Sequence, residues 1–190
     1  MNVYDFDGTI YRGDSSLDFY LFCLRKHPAL IRFLPMQAFG VAAYKLRAIN
    51  KTRGKEFFFS FLRGVEDVEE SVRLFWKEHI HRIEKWYLSQ KEPTDVIISA
   101  SPEFLLSPIC RTLNISLIAS CVDSRNGKFN GRNCFGEEKK RRFLQDFGKE
   151  ATIYSFYSDS YSDTPLAELS TKCYLTNKGT IKVWKSENAQ

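Results

Sequence analysis

The sequence predicts an α/β protein with a parallel sheet and an inserted all-helical segment. Asp95-Val96-Ile97-Ile98-Ser99-Ala100-Ser101-Pro102 is a β-branched run that ends in small hydroxyl residues and breaks at a proline. That is the pattern of a buried parallel strand feeding a helix. From Lys91 onward strand-like and helix-like stretches alternate, whereas from about Arg12 to Gln90 the pattern is helical. The expected organisation is therefore a core built from residues 1–11 and 91–190, with residues 12–90 inserted as a helical cap.

Taken in order, a short apolar run ends at Asp5-Phe6-Asp7-Gly8-Thr9-Ile10, where the glycine marks a turn. Leu17, Tyr20, Leu21 and Leu24 recur at helical spacing after a cap at Asp14 or Ser15. Val68, Val72, Phe75, Trp76, Ile80 and Ile83 form a second stripe, with Asp67 and Glu70 placed like a capping box. After the strand at 95–102, Ile115 to Val122 reads as another strand, and Asn126-Gly127 and Asn130-Gly131 mark the turns of a hairpin. A charged helix follows, starting near Cys134-Phe135-Gly136-Glu137-Glu138-Lys139-Lys140-Arg141-Arg142-Phe143, and then a β-rich run from Thr152 to Ser158. Inserted between the first and second strands, the helical unit is expected to stand over the carboxyl ends of the sheet as a lid.

Chemistry-bearing residues fall at the ends of these strands. Residues two apart on a strand share a face, so Asp5 and Asp7 can converge on one metal-bound phosphate if the strand ends near Asp5. Aspartates before a glycine also occur in plain turns and calcium loops. Ser99 lies where open α/β sheets bind anions, although Ser99 or Ser101 could equally cap the next helix. Most cations of the charged helix must form a solvated face. Spacing alone does not separate Lys139 from Lys140 as the one that turns inward. Asp159 and Asp163 follow the last run, and Asp5 with Asp159 would supply the oxygen ligands that a hard cation such as Mg²⁺ prefers.

In this order the four pieces resemble the haloacid dehalogenase superfamily, whose core is Rossmann-like, and the resemblance covers most of the chain. Asp5-Phe6-Asp7-Gly8-Thr9 matches its opening signature, Ser99 its second motif, Lys139 its lysine, and Asp159 and Asp163 its acidic motif. The resemblance implies an aspartyl-phosphate intermediate on Asp5, with Asp7 as general acid and base. It implies phosphate binding by Thr9, Ser99, Ala100 and Lys139, and Mg²⁺ held by Asp5, the Asp7 backbone carbonyl, Asp159 and, through water, Asp163. The cap position and the string Cys134–Lys139 are similar to the phosphoserine phosphatase-type subfamily. There Asp14 stands where an acidic residue meets the substrate amino group. The subfamily's cap arginine has no counterpart in Lys55-Glu56-Phe57-Phe58-Phe59-Ser60-Phe61. Leu24–Leu30 and Tyr154–Ser160 are also similar to bacterial phosphatidylglycerophosphatases of the C type, which implies a lipid head group as the alternative substrate to a small phosphorylated metabolite.

Composition bounds the remaining choices. With 190 residues and 43% hydrophobic content, the chain can bury one core and a smaller second unit. Five cysteines, Cys23, Cys110, Cys121, Cys134 and Cys173, contain no CxxC pair and suggest buried thiols in a reducing cytoplasm rather than zinc or disulfides. His79 and His81 diverge on a helix, and His27 precedes Pro28, so no shared metal is expected there. With the first motif already at residue 5, no leader is expected ahead of it.

Charge is unevenly spread. Residues 25–55 contain eight Lys or Arg and no Asp or Glu, which against a net charge of +5 leaves −3 on the rest. That suits peripheral contact with the inner face of a membrane, each cation being worth roughly 1 kcal/mol at a charged leaflet. The uncharged stretch from Phe33 to Tyr44 is too short to span one, since about 20 residues are needed. A non-catalytic nucleic-acid or membrane-surface binder remains the alternative of another class, and no nucleic acid is expected because no known binding module is matched.

Overall fold

The computed structural model describes residues 1–184; the last six residues of the expected core segment lie outside the described residues. Six strands form one sheet in the order β3-β2-β1-β4-β5-β6. The strands are β1 (Asn2–Tyr4), β2 (Val96–Pro102), β3 (Ser116–Ser120), β4 (Ile153–Ser158), β5 (Ser170–Asn177) and β6 (Thr180–Val183). The first five are parallel and β6 returns antiparallel from β5. From β1 the chain builds outward to β2 and β3, then crosses back to place β4 on the other side of β1. The strand order thus reverses between β1 and β4, and ligands of open α/β sheets bind outside the carboxyl ends at such a point.

Between β1 and β2 the chain is helical, with α1 (Ser15–Lys26), α2 (Leu34–Lys45), α3 (Lys51–Phe58), α4 (Val68–His79) and α5 (Lys85–Gln90). Asp14 caps α1 by accepting from Leu17 N, Asn50 caps α3 through Arg53 N, and Asp67 caps α4 through Glu70 N. These bonds satisfy amides that have no partner inside the helix. The capping box at α4 is only half made, because the Glu70 carboxylate turns to Arg73 (2.5 and 2.6 Å) instead of back to Asp67. The first helix also differs from its apolar stripe. Leu17 and Leu21 are exposed, and the face that packs inward carries Phe19, Tyr20, Phe22 and Cys23. The three rings on that face outweigh the leucines, packing on Phe61 and Phe75. On α4, Val72, Phe75 and Trp76 are buried while Ile80 is exposed, because a 3-10 turn over Ile80–Arg82 ends the helical period.

The helical segment does not own a separate core. One apolar cluster runs from Phe19, Phe61 and Phe75 of the insertion through Tyr4 and Phe6 to Leu105 and Ile109 of α6 (Glu103–Leu113). Trp76 Nε1 donates to the Leu105 carbonyl across that junction (2.6 Å). A second cluster, with Val3, Ile98, Phe143 and Phe156, lies against α7 (Glu137–Phe147) and α8 (Thr164–Ala167). Where the chain leaves and re-enters the sheet region the two crossings are tied together, Arg12 N to Arg82 O (3.0 Å) and Glu84 N to Ile10 O (2.8 Å).

The register of β1 depends on a buried carboxylate just before β2. Asp95 accepts from Asn2 N (3.0 Å), Asn2 Nδ2 (3.1 Å) and Glu92 N (2.9 Å) with no exposure to solvent. Removing it strands those donors, a loss of about 2–4 kcal/mol. Asp95→Ala is therefore expected to lower the urea midpoint markedly. A midpoint within error of the parent would show that Asp95 does not hold β1 in place.

Candidate active site

β1 ends at Tyr4, and Asp5 N donates to Tyr157 O of β4 (2.8 Å), so the Asp5 carboxylate emerges at the reversal point of the sheet. The chain then turns back on itself, with the amides of Ile10 and Tyr11 donating to Phe6 O (3.0 and 2.9 Å). Gly8 holds φ +70°, and a Cβ there would collide with the Asp159 side chain. Only glycine fits a turn that is both left-handed and this close to a carboxylate. Asp7 is returned beside Asp5, where its oxygens accept from Ser15 N (2.6 Å) and Ser101 Oγ (2.5 Å).

The lysine comes from α7. Lys139 Nζ donates to Asp5 Oδ1 (2.8 Å) and Asp163 Oδ2 (2.7 Å) and is 2% exposed. It shares a helix face with the buried Phe143, four residues on, which directs it inward. Lys140 faces outward to Glu168, and Glu138 pairs with Arg141 and Arg142. Asp163 also accepts from Ser158 Oγ (2.8 Å), while its Oδ1 is buried without a partner. Asp159 follows the end of β4.

Together these groups line a cavity of about 470 Å³. Of the residues singled out in the sequence, Asp5, Asp7, Asp14, Ser99, Ala100, Lys139, Asp159 and Asp163 border it. Thr9 does not. Its side chain is buried on the other side of the turn, where its hydroxyl accepts from Thr176 Oγ1 of β5 (3.2 Å), so a phosphate-binding role for that hydroxyl is corrected. Asp14 borders the cavity while one oxygen caps α1. Neither Ser99 nor Ser101 caps α6, whose first turn follows Pro102. The pairing of β2 with β3 shifts between Ile98 and Pro102, and that irregularity brings the serines to the cavity.

Sequence reasoning missed the cationic wall opposite. Lys51 and Lys55 of α3 border the same cavity. Lys55 Nζ donates to Ala100 O (2.8 Å), and Lys51 Nζ sits 3.2 Å from the centre of the Phe135 ring. Neither has a carboxylate partner among the described residues. Their spacing of four, which puts both on one helix face, was the available signal. Ser15 and Ser101, the donors to Asp7, gave no signal beyond their place next to a motif.

Electrostatics follow from burial. Desolvation pushes Asp5 up to about 7; Lys139 opposes the rise, and the charges of Asp163 and Asp159 add to it. Asp7 is pushed up to about 6, again mainly by desolvation, then by Asp14, with the bonds from Ser101 and Ser15 pulling it back. Burial works against the Lys139 charge, but Asp5 and Asp163 outweigh it and hold the ammonium above its ordinary range. Desolvation brings Lys55 down to about 8, with Lys51 adding to the drop.

Five carboxylates and three lysines border the cavity, an excess of negative charge that suits a cation. Among the described residues no three acidic, His or Cys side chains are gathered tightly enough to hold an ion by themselves. Mg²⁺ does not require that, since it takes one or two carboxylates and keeps waters and substrate oxygens. The all-oxygen donor set of Asp5 and Asp159, with the unpartnered Asp163 Oδ1 nearby, fits such an ion.

The site thus combines a Rossmann-like sheet, acidic side chains at the ends of β1 and β4, and a helical insertion between β1 and β2. The model of the haloacid dehalogenase-like hydrolases matches residues 3–168, and the chain belongs to that family. Protein CicA of Caulobacter vibrioides is 27% identical, covering 86% of this chain and 80% of its own. A Bordetella pertussis Tohama I protein of unknown function has a similar fold, with TM-score 0.71, 23% identity and coverage of 91% and 87%. A phosphoserine phosphohydrolase-like protein from Francisella tularensis superposes with TM-score 0.55 at 18% identity, covering 91% and 86%.

Both raised carboxyl groups bind a proton more tightly in the folded chain than in the unfolded one, where the ordinary value is about 3.9. Their contribution to stability is complete below about pH 4 and is lost as pH rises through about 6 to 7. Without divalent ions the thermal midpoint is expected to rise as pH is lowered from about 7.5 to about 5.5, and Asp7→Asn to flatten the rise. A midpoint that falls over this interval in the parent, with Asp7→Asn following the same curve, would contradict the assignment.

Proposed function

We propose that the protein is a Mg²⁺-dependent phosphomonoesterase that works through an aspartyl phosphate on Asp5. The observation that carries this reading is the buried Lys139 ammonium bridging Asp5 and Asp163 at the end of β1, with Asp7 held alongside by Ser15 and Ser101. Phosphoryl transfer requires positioning and charge stabilisation more than covalent chemistry from the protein, and these residues supply both.

Asp5 Oδ attacks phosphorus and the bond to the ester oxygen breaks. Asp7, pushed up to about 6, delivers its proton to the departing alkoxide. The same carboxylate then takes a proton from water, whose oxygen attacks phosphorus and returns Asp5 with release of phosphate. Lys139 and the Ser99 hydroxyl balance charge on the phosphoryl oxygens from the two sides of the cavity. Asp5, Asp159 and the Asp7 carbonyl would hold Mg²⁺, which would supply further charge neutralisation and alignment when bound.

A small phosphorylated metabolite is the first substrate class, in line with the phosphoserine phosphohydrolase-like fold neighbour. A lipid head group of the phosphatidylglycerophosphate kind is the second, and Lys51 and Lys55 are compatible with either class. Two ammonium groups without carboxylate partners suit a substrate with an anionic group beyond the phosphate that is cleaved.

Asp5→Asn is expected to lose about 10³-fold or more of Mg²⁺-dependent aryl phosphate hydrolysis while keeping its far-UV circular dichroism spectrum. Chelation should abolish turnover and added Mg²⁺ restore it; unchanged turnover in the variant refutes the mechanism. Lys51→Ala with Lys55→Ala should raise KM about tenfold for phosphatidylglycerophosphate and little for an aryl phosphate. Equal changes for the two substrates would remove the lipid reading and leave the hydrolysis intact.

A further inference from the structure

Asp7 is held differently at its two oxygens. Oδ1 accepts from the backbone amide of Ser15 (2.6 Å), a group that can only donate. Oδ2 meets the hydroxyl of Ser101 (2.5 Å), which can either give or accept a hydrogen bond. Behind Ser101 lies a second hydroxyl. Ser16 Oγ is 3.0 Å from Ser101 Oγ, and either of the two can be the donor. Ser15 Oγ stands farther off, at 3.5 Å from Ser101 Oγ.

All three serines are buried, and they come from two separate parts of the fold. Ser15 and Ser16 open α1, whereas Ser101 stands near the end of β2. Phe19 and Phe22 of α1 belong to the same apolar cluster as Leu105 of α6, so core packing fixes the hydroxyls against one another. Ser16 also borders the cavity, where its own proton can turn to solvent.

We propose that Ser101 and Ser16 are positioning residues for Asp7, a hydroxyl pair that reverses its direction as the carboxyl gains and gives up its proton. The inference rests on Asp7 being the acid and base of a phosphomonoesterase. With Asp7 ionised, Ser16 donates to Ser101 and Ser101 donates to Oδ2. With the proton on Oδ2, Asp7 donates to Ser101 and Ser101 donates to Ser16. Neither state leaves an Asp7 oxygen without a partner, and passing between them takes only rotation about two C–O bonds. Asp7 gives its proton to the ester oxygen, which breaks from phosphorus and leaves as the alcohol, and Ser101 turns back to donate to the bare Oδ2. The carboxylate then takes a proton from the water whose oxygen attacks phosphorus and frees Asp5, and Ser101 turns again. An amide could not serve in both halves of this cycle, so the Ser15 amide on Oδ1 assigns the proton to Oδ2.

The test compares two aryl phosphates in the presence of Mg²⁺. 4-Nitrophenoxide leaves with little help, whereas phenoxide needs the proton from Asp7. In Ser101→Ala, kcat/KM for phenyl phosphate is expected to fall about tenfold more than for 4-nitrophenyl phosphate. Ser101→Thr, which keeps the hydroxyl, should restore the parent's ratio, and Ser16→Ala should shift it in the direction of Ser101→Ala by a smaller factor. Each ratio is taken within one preparation, so a fraction of unfolded protein cancels. Equal losses for the two esters in Ser101→Ala, or the same ratio in Ser101→Thr as in Ser101→Ala, overturn the role of the hydroxyl pair and leave the hydrolysis in place. A parent that hydrolyses neither ester overturns the inference together with the reading of the cavity.

Discussion

The site depends on one ammonium group shared by two carboxylates where solvent is excluded. Lys139 joins α7 to the end of β1 through Asp5, and to the segment after β4 through Asp163. Taking three charges out of water costs several kcal/mol per ion, and the cost is offset only when every partner is close and well aligned. Here the lysine contacts are 2.7 and 2.8 Å and Ser158 adds a further donor to Asp163. One carboxylate oxygen, Asp163 Oδ1, is left over, and burial, opposed by Lys139 and assisted by the charges of Asp163 and Asp159, holds Asp5 above the ordinary carboxylate range. An orphaned oxygen beside a raised carboxyl is in keeping with the proposed binding of a cation and a phosphate at this point.

The packing around that point limits how the helical insertion can move. Because one apolar cluster runs from the insertion into α6, opening the entire insertion would expose Phe19, Phe75 and Trp76 together with Leu105. Contacts also reach the insertion from the hairpin after β3. Gly127, at φ +75°, lies where a Cβ would meet the backbone of Phe59, and Phe129 N donates to Glu56 (3.2 Å). α1 and α4 are consequently part of the core, whereas α2 and α3 project from it with less shared apolar contact. Motion that admits substrate is most readily placed in that outer pair, which carries Lys51 and Lys55.

The outer pair joins two surfaces of different character. One side of α3 brings ammonium groups to the cavity, and another takes the small stripe of α2. Phe39 of α2 meets Phe57 of α3 edge to face although most of its own surface stays exposed.

Much of this was legible from residues alone. The strand ends with their aspartates, the β-branched run into Ser99, the Asp14 cap and the helical character of the insertion are local properties, set by alternation, capping and turn chemistry over a few residues. The order of the four motifs carried the family. Tertiary structure decided which neighbour of a motif turns inward. Spacing alone did not separate Lys139 from Lys140, and Thr9 was placed in the site where Ser101 was read only as a helix cap, until the fold at Gly8 and the Phe143 face of α7 oriented them. Leu17 and Leu21 follow helical spacing as well as Phe19 and Phe22 do, and only the position of Phe61 and Phe75 made one face the core. Lys51 and Lys55 belonged to an undifferentiated run of cations, because a side chain's partners across the chain are set by packing, and packing is not written in local spacing.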